Sequence, residues 1–514
     1  MTDKNFYITT PIYYVNDRPH IGHAYTSVAC DVLARYHRLL GHKVKFLTGT
    51  DEHGQKVEKS ANAAGVSPQE FTDTVSRHFL EMSEQMDISY DDFIRTTEER
   101  HVAAAQAIWK KMEEAGYIYL GSYAGWYAVR DEAYYAESEL LNGKAPTGAE
   151  VEWVEEPSYF FKLSAFEGKL LEYYDKHPDF IAPTSRRNEV ISFVKGGLKD
   201  LSVSRTTFSW GIPVPGNPDH IMYVWLDALT NYLSAVGYPD TKCTEFKDFW
   251  PASLHMVGKD ILRFHAVYWP AFLMAADLPL PDRIFAHGWW TIEGEKMSKS
   301  LGNVVAPADM INEYGLDATR WFLLREVPFG NDGNFSKDAL ITRVNSELAN
   351  NVGNLAQRTL TIINKHCGAS LPECRSLNTE EIAMVYNDKL LSHYHDAMNR
   401  CAFHEAMQCI IQMGNEANIY IDEKAPWKLR KENPEEMKAV LYCLAENIRI
   451  ISILLQPFIP VSSSKILDSL AVPEDSRSYN HTTQHHALKS GTILPPPSPV
   501  FPRLGGLKPQ EGAA

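Results

Sequence analysis

The chain opens with a continuous apolar run at residues 6–10, followed by a longer segment, 21–40, whose apolar residues recur at helical spacing. A second strand-like run occupies 43–48. Strand, helix, strand is how a parallel α/β sheet begins. Ligands of such sheets bind at the carboxyl ends of the strands, here the 11–20 loop and residues 50–54. From 117 to 218 the pattern breaks into short aromatic-rich and turn-rich stretches (GSYAGWYAVRDEAYY, WGIPVPGNPDH), predicting an insertion between two sheet halves. Helical spacing then dominates from 345 to about 459, which predicts a separate helix bundle. Six prolines between 495 and 509 exclude a helix interior, so 490–514 reads as a tail with Phe501 as its candidate anchor.

Length and composition narrow the class. At 514 residues the chain exceeds one ordinary core, so two to four domains are expected. Hydrophobic content of 44% with 22% charged residues is globular composition. The first 14 residues lack the basic and apolar regions of a secretory signal. The longest apolar run, 450–461, is broken by Gln456, Pro457 and Pro460. A cytoplasmic protein without a membrane span is expected. Seven cysteines form no CxxC pair, which predicts reduced thiols. The net charge of -15 disfavours a nucleic-acid binder unless a local basic strip exists. Candidates are Arg186, Arg187, Lys195, Lys199 and Arg205, and separately Lys424, Lys428, Arg430 and Lys431.

Two motifs carry chemistry. His20-Ile21-Gly22-His23 stands at the start of the first helix, where backbone N–H groups, the helix dipole and imidazole donors suit phosphates. Gly22 lacks a side chain, so a flat ring such as adenine could lie on its backbone. Lys296-Met297-Ser298-Lys299-Ser300 lies some 270 residues later in a glycine-flanked loop, where two lysines can offset charge growing on a leaving pyrophosphate. Each motif alone is weak; two surface histidines or a lysine-bearing loop are common.

Together, in this order, the HIGH-type and KMSKS sequences resemble the class I aminoacyl-tRNA synthetases. The stretches FYITTPIYYVNDRPHIGHAYT, FLTGTDEHGQK, YVWLDALTNY, VGKDILRFHAVYWPAFL, HGWWTIEGEKMSKSLGN and DEKAPWKL are similar to the methionyl members, over roughly residues 5–460. The resemblance implies an α/β fold: a Rossmann-type parallel-sheet catalytic domain with a connective insertion, followed by an α-helical anticodon-binding bundle. It implies catalytic halves at 1–116 and 219–290, the insertion at 117–218, a KMSKS and stem-contact region at 291–344, the helical domain at 345–470 and the proline-rich tail at 471–514.

The implied activity is ATP-dependent activation of methionine to methionyl-adenylate, then transfer to tRNA(Met), initiator and elongator. His20, Gly22, His23, Gly258, Asp260, Lys296 and Lys299 take the ATP side, with His20, His23, Lys296 and Lys299 as the catalytic set. Ile12, Tyr14, Asp51, Trp225, Ala228, Leu229, Tyr232, Ile261, His265 and Trp269 take methionine. Spacing bears on that pocket too. Trp225, Ala228, Leu229 and Tyr232, and likewise Ile261, His265 and Trp269, can each share one helical face, although such stripes are more often plain core. Asp51 is the candidate partner for the substrate ammonium. His265 is expected near the sulfur or bonded to Tyr14.

In the bundle, Asn354 and Arg358 are expected to reach anticodon base edges, with Pro426 and Trp427 supplying a stacking platform. Magnesium is expected with ATP. Some relatives carry zinc knuckles in the insertion, but no cysteine lies between Cys30 and Cys243, so no structural zinc is expected and an aromatic core should hold the insertion. The C-terminal extension that in some relatives dimerises and binds tRNA is also missing, and a monomer is expected. Roughly 100 connective residues leave no room for the large editing insertion of the leucyl, valyl or isoleucyl enzymes. The alternative from another class is a non-catalytic tRNA-binding paralogue; the intact His20, His23, Asp51, Lys296 and Lys299 argue against it.

Overall fold

The structure, a computed structural model, describes residues 4–15, 18–131, 133–135, 137–292, 295–296 and 305–505, with backbone alone at 123–124, 133–134, 155–156 and 295–296. These fall into two compact units, one of residues 4–30 and 44–288, the other of 31–43 and the residues from 289 onward.

Seven strands form the sheet of the first unit: β1 (Asn5–Thr9), β2 (Tyr13–Tyr14), β3 (Lys43–Asp51), β4 (Asp92–Arg95), β5 (Ile181–Ala182), β6 (Leu254–Gly258) and β7 (Ile284–His287). Their order is β2-β3-β1-β6-β7-β5, with β4 also on β3. The pairs β1/β6, β6/β7, β7/β5, β2/β3 and β3/β4 are parallel. Strands covered on both faces need apolar residues on both, and β7 is buried throughout. The expected helix forms over Ile21–Leu39, burying Ile21, Ala24, Tyr25, Val28, Val32 and Tyr36 at spacings of three and four. β3 runs three residues past the apolar stretch, because Thr50 and Asp51 still pair with β2.

The inserted segment is less separate than its sequence suggests. A long antiparallel hairpin, Ile118–Ala128 against Glu152–Phe161, carries Ala133–Tyr135 and Leu201–Ser202 on its flanks. Between them Ile181–Ala182 returns to the main sheet as its edge strand β5. Aromatic contacts hold the hairpin base, including Phe161 on Phe272 and Trp109 on Tyr159. The tip keeps aromatic packing around a small alanine core: Tyr135 lies against it, and Trp126 meets Trp153 edge-on at 5.4 Å. Ala128, Ala145 and Ala149 pack together there, and Asp131 accepts hydrogen bonds from Tyr135 Oη (3.0 Å) and Thr147 Oγ1.

The second unit is mainly helical. Helix Pro434–Leu455 is buried from Met437 to Leu455 apart from Lys438 and Tyr442. Its two buried charges, Glu446 and Arg449, pair with each other, and Glu446 also accepts from Tyr386 Oη (2.8 Å) and Leu488 N (3.0 Å). An uncompensated buried charge would cost several kcal/mol, on the order of 3–5. Helical character after residue 344 begins with a π-helical segment, Val344–Gly353, and continues as Asn354–His366. The tail docks on that segment. Leu504 exchanges two 2.9 Å hydrogen bonds with the Asn345 side chain, Arg503 donates to Asn350 (2.7 Å), and Phe501 lies on Gly353.

Candidate functional site

The carboxyl ends of β1, β3, β6 and β7, with the segments just after them, carry Tyr13 and His20, Asp51, Gly258 and Asp260, and His287. His20 and His23 stack with ring centroids 3.9 Å apart. His20 Nδ1 accepts from Gly22 N (3.1 Å), and His23 Nδ1 accepts from His20 N (3.1 Å). Burial lowers both imidazole pKa values, and for His23 the neighbouring His20 adds to the effect. A neutral ring that accepts at Nδ1 carries its proton on Nε2. Each histidine therefore presents one uncharged Nε2–H donor. Tyr13 and Phe79 wall the pair, and Tyr13 Oη donates to His23 O at 3.2 Å.

Two expectations for this motif change. The Gly22 N–H caps into the His20 ring and does not point outward as an anion donor. The space over Gly22 is likewise used by that ring, since a Cβ there would stand 2.9 Å from His20 Cε1. Across the strand ends Gly258 serves a similar close approach: a Cβ would lie 2.6 Å from Asp260 Oδ1. His287, buried and with its pKa lowered by burial, bonds Thr26 Oγ1 (2.7 Å) and ties β7 to the HIGH helix.

The expected methionine residues share this unit. Trp225 stacks flat on Phe264 at 3.7 Å and meets His265 edge-on at 6.3 Å. Tyr232 stacks on His255 (4.1 Å) and contacts Trp269 (6.0 Å), both rings being closed to solvent. His265 does not bond Tyr14. Its Nδ1–H donates to Ile261 O (3.0 Å), so Nε2 accepts from Tyr232 Oη (2.7 Å), and burial pushes its pKa down to about 4. The two stripes are not continuous helical faces either. Helix Val224–Leu229 stops before Thr230 and resumes as Asn231–Ser234, while 259–275 passes from a 3-10 turn through a π turn, Phe264–Tyr268, into helix Trp269–Ala275. The π turn rotates the chain and brings Phe264, a residue outside the expected set, onto Trp225.

Spacing also missed a polar cluster beside Asp51. Asp51 itself is buried at the end of β3. The next residue, Glu52, fully buried, accepts from Arg95 (2.6 and 3.0 Å), Thr97 (2.6 Å) and Thr50 (2.7 Å). One residue further, His53 Nδ1 bonds Asp227 Oδ2 (2.7 Å), and Asp227 Oδ1 bonds His101 Nε2 (2.7 Å). Burial alone would raise the Asp227 carboxyl. The His53 charge interaction and the hydrogen bonds from His101 and His53 outweigh it and hold the pKa at about 2.

In the second unit the anticodon candidates lie on Asn354–His366 and on Pro426–Glu432. Trp427 is 43% exposed, Pro426 is buried as the first residue of its helix, and the Arg358 guanidinium sits 5.3 Å over the Trp427 ring. Arg358 also donates to the exposed Asp422 at 2.6 Å. The 186–205 stretch does not form one basic face. Arg205 is buried against Tyr223, Arg187 donates to Tyr174 O, and Arg186 pairs with Glu189.

Lys299 lies outside the described residues, and of Lys296 only the backbone is described, in a short strand pairing with Trp290–Ile292. Among the described residues no group of three or more His, Cys, Asp or Glu is gathered as a metal site, and no helix is long and apolar enough to cross a membrane.

Comparison with known proteins places this geometry among characterised relatives. A family model described as tRNA synthetases class I (M) matches residues 6–150 and 137–360, and one described as the anticodon binding domain of methionyl tRNA ligase matches 371–508. The chain is 57% identical over 508 residues to the methionine–tRNA ligase of Rickettsia felis, covering 98% of this chain and 99% of that protein. It is 55% identical to the methionine–tRNA ligase of Rhizobium meliloti, with 97% and 98% covered. Among solved structures it resembles Mycobacterium tuberculosis methionyl-tRNA synthetase in complex with methionyl-adenylate, at TM-score 0.94 and 49% identity, covering 97% of this chain and all of that one.

Proposed function

The chain belongs to the class I methionyl-tRNA synthetases, and on that premise we propose how its residues divide the work. Its activity is that of a methionine–tRNA ligase. A methionine carboxylate oxygen attacks the α-phosphorus of ATP, the bond from that phosphorus to the β-bridging oxygen breaks, and pyrophosphate leaves. A hydroxyl of the terminal tRNA ribose then attacks the acyl carbon of the adenylate, gives up its proton, and AMP leaves.

The observation that carries the catalytic reading is the neutral His20/His23 pair, each ring fixed at Nδ1 by a backbone N–H so that Nε2–H is available to phosphate oxygens. Fixed donors aimed where charge develops lower the barrier without reorganising. Lys296 and Lys299 act on the pyrophosphate side, and Gly258 and Asp260 receive the ribose. Magnesium arrives on the ATP phosphates as part of that substrate, and with no cysteine between 30 and 243 the insertion has no thiolate to offer zinc.

On the amino-acid side Asp51 pairs with the substrate ammonium, with Ile12, Tyr14, Trp225, Ala228, Leu229, Tyr232, Ile261, His265 and Trp269 around the side chain. A polarizable thioether gains from aromatic edges, and an unbranched chain fits a slot that β-branched competitors do not. Trp427 and Arg358 receive an anticodon base of tRNA(Met), initiator or elongator, and Asn354 lies on the same helix as Arg358. The protein works in the cytoplasm.

ATP/pyrophosphate exchange, run separately with methionine, leucine, isoleucine, valine and cysteine, tests the reading. Exchange with methionine alone is expected. No exchange with any of them would leave a tRNA-binding protein without the chemistry.

A further inference from the structure

Asp227 stands on helix Val224–Leu229 between Trp225 and Ala228, in the run that carries one wall of the methionine pocket. Its carboxylate is closed to solvent, and each oxygen accepts from a different imidazole. One is His53, two residues beyond Asp51. The other is His101 from helix Glu99–Glu114, whose second nitrogen, Nδ1, lies 3.0 Å from Ser234 Oγ. Ser234 belongs to the short helix Asn231–Ser234 that holds Tyr232, and its hydroxyl lies 3.0 Å from Thr230 O. A hydroxyl has one proton. That proton serves either Thr230 O or the His101 ring, and either way Ser234 couples the ring to the short helix.

We propose that His53, Asp227 and His101 are positioning residues of the methionine pocket. The cluster joins the three segments that bear Asp51, Trp225 with Ala228, and Tyr232. Each Asp227 oxygen faces a ring nitrogen at 2.7 Å, and a solvent-free carboxylate requires such partners if its charge is not to be left uncompensated. Trp210 fixes the remaining face of His53 in an edge contact at 5.5 Å, and the same indole donates to Glu52 O at 2.6 Å. The strand end that presents Asp51 is thereby held on both sides of His53. None of the three residues touches substrate; they set the separation between the ammonium partner and the aromatic wall.

The inference rests on the pocket assignment above, and the two fail separately. Methionine-dependent exchange by the unmodified chain tests the pocket, and variants of His53 test the cluster. His53→Ala removes the Nδ1 donor, whereas His53→Asn places an amide donor near the same point. The expected result is a methionine KM raised at least about tenfold in His53→Ala, an ATP KM within about threefold, and most of the methionine effect recovered in His53→Asn. Equal movement of both KM values, or an asparagine variant no better than alanine, would overturn the positioning role. A second measurement needs no variant. In the full chain labelled with nitrogen-15 at histidine, His53 Nδ1 and His101 Nε2, the two ring nitrogens that face Asp227, assigned by through-bond correlation to their own backbone, should both show bound protons. A bare nitrogen at either position overturns the proposal even if the variants fail to fold.

Discussion

Aromatic residues serve the two units in opposite ways. In the first, Tyr232 and Trp269 are sealed from solvent; Tyr232 bonds His265 and His265 bonds Ile261, while Trp269 Nε1 and His255 Nε2 are buried with no hydrogen-bond partner among the described residues. In the second, Trp427 is left partly bare, with an arginine over its face and an aspartate on that arginine. A sealed pocket discriminates by shape and by the cost of leaving a buried group unpaired. An open platform binds a base by stacking, and the stacked cation must shift or be shared when the base arrives. Damage on the two sides should therefore read out in different half-reactions.

The largest separation is expected from His23→Ala. Loss of one fixed donor lowers a chemical step by about 10²–10³-fold, and exchange kcat should fall by that order with methionine KM little changed. A variant exchanging within about threefold of the parent would remove the imidazole pair from the reaction. Next is Asp51→Asn, which keeps the shape but loses the charge. Hydrogen bonds to charged groups contribute about 1.5–3 kcal/mol, so methionine KM should rise about 10- to 100-fold; an unchanged KM would place the ammonium elsewhere. Trp427→Ala inverts the pattern. Stacking is worth about 1–3 kcal/mol per base, so aminoacylation kcat/KM should drop about tenfold or more while exchange is untouched. Loss of both activities would make Trp427 structural.

Acid sharpens the comparison from the buried side. Burial lowers the pKa of His20, His23, His255, His265 and His287, all in the first unit. Unfolded imidazoles titrate near 6.5, so below about that pH the unfolded chain takes up protons that the folded chain refuses. Stability from these groups is whole above pH 6.5 or so and is lost as pH falls. Thermal melts from pH 7.5 to 5.5 should show a falling Tm, and a flat profile would mean that the rings are charged or wet in the native state. The smallest change is expected from Asp422→Ala. An exposed pair contributes about 0.2–1 kcal/mol, so freeing Arg358 should move the tRNA KM by no more than about fivefold; a larger loss would show that Asp422 itself presents the arginine.

Much of the fold was legible in local pattern. The strand-helix-strand opening, the placement of His20, His23 and Asp51 at strand ends, and the helical second half follow from periodicity, and the observed elements begin within a residue or two of the expected ones. The return of Ile181–Ala182 to the sheet was not legible, because a two-residue strand has no period to read. The His53–Asp227–His101 cluster escaped for a related reason. Its members stood in plain view within TDEHG, WLDAL and EERH, but the bonds span 174 and 126 residues, and no spacing rule reaches that far.

What the sequence alone determined about this protein is its inventory: which side chains carry charge, where a glycine or proline limits the backbone, and which motif ends which strand. Those properties are covalent and local, so they survive in any fold. Tertiary structure alone decided who meets whom. It folded the His20 ring over Gly22, turned His265 from Tyr14 to Tyr232, carried Phe264 through a π turn onto Trp225, and placed Arg358 on Trp427. Each of those outcomes depends on distances set by packing many residues at once, and packing has no counterpart in the spacing of letters.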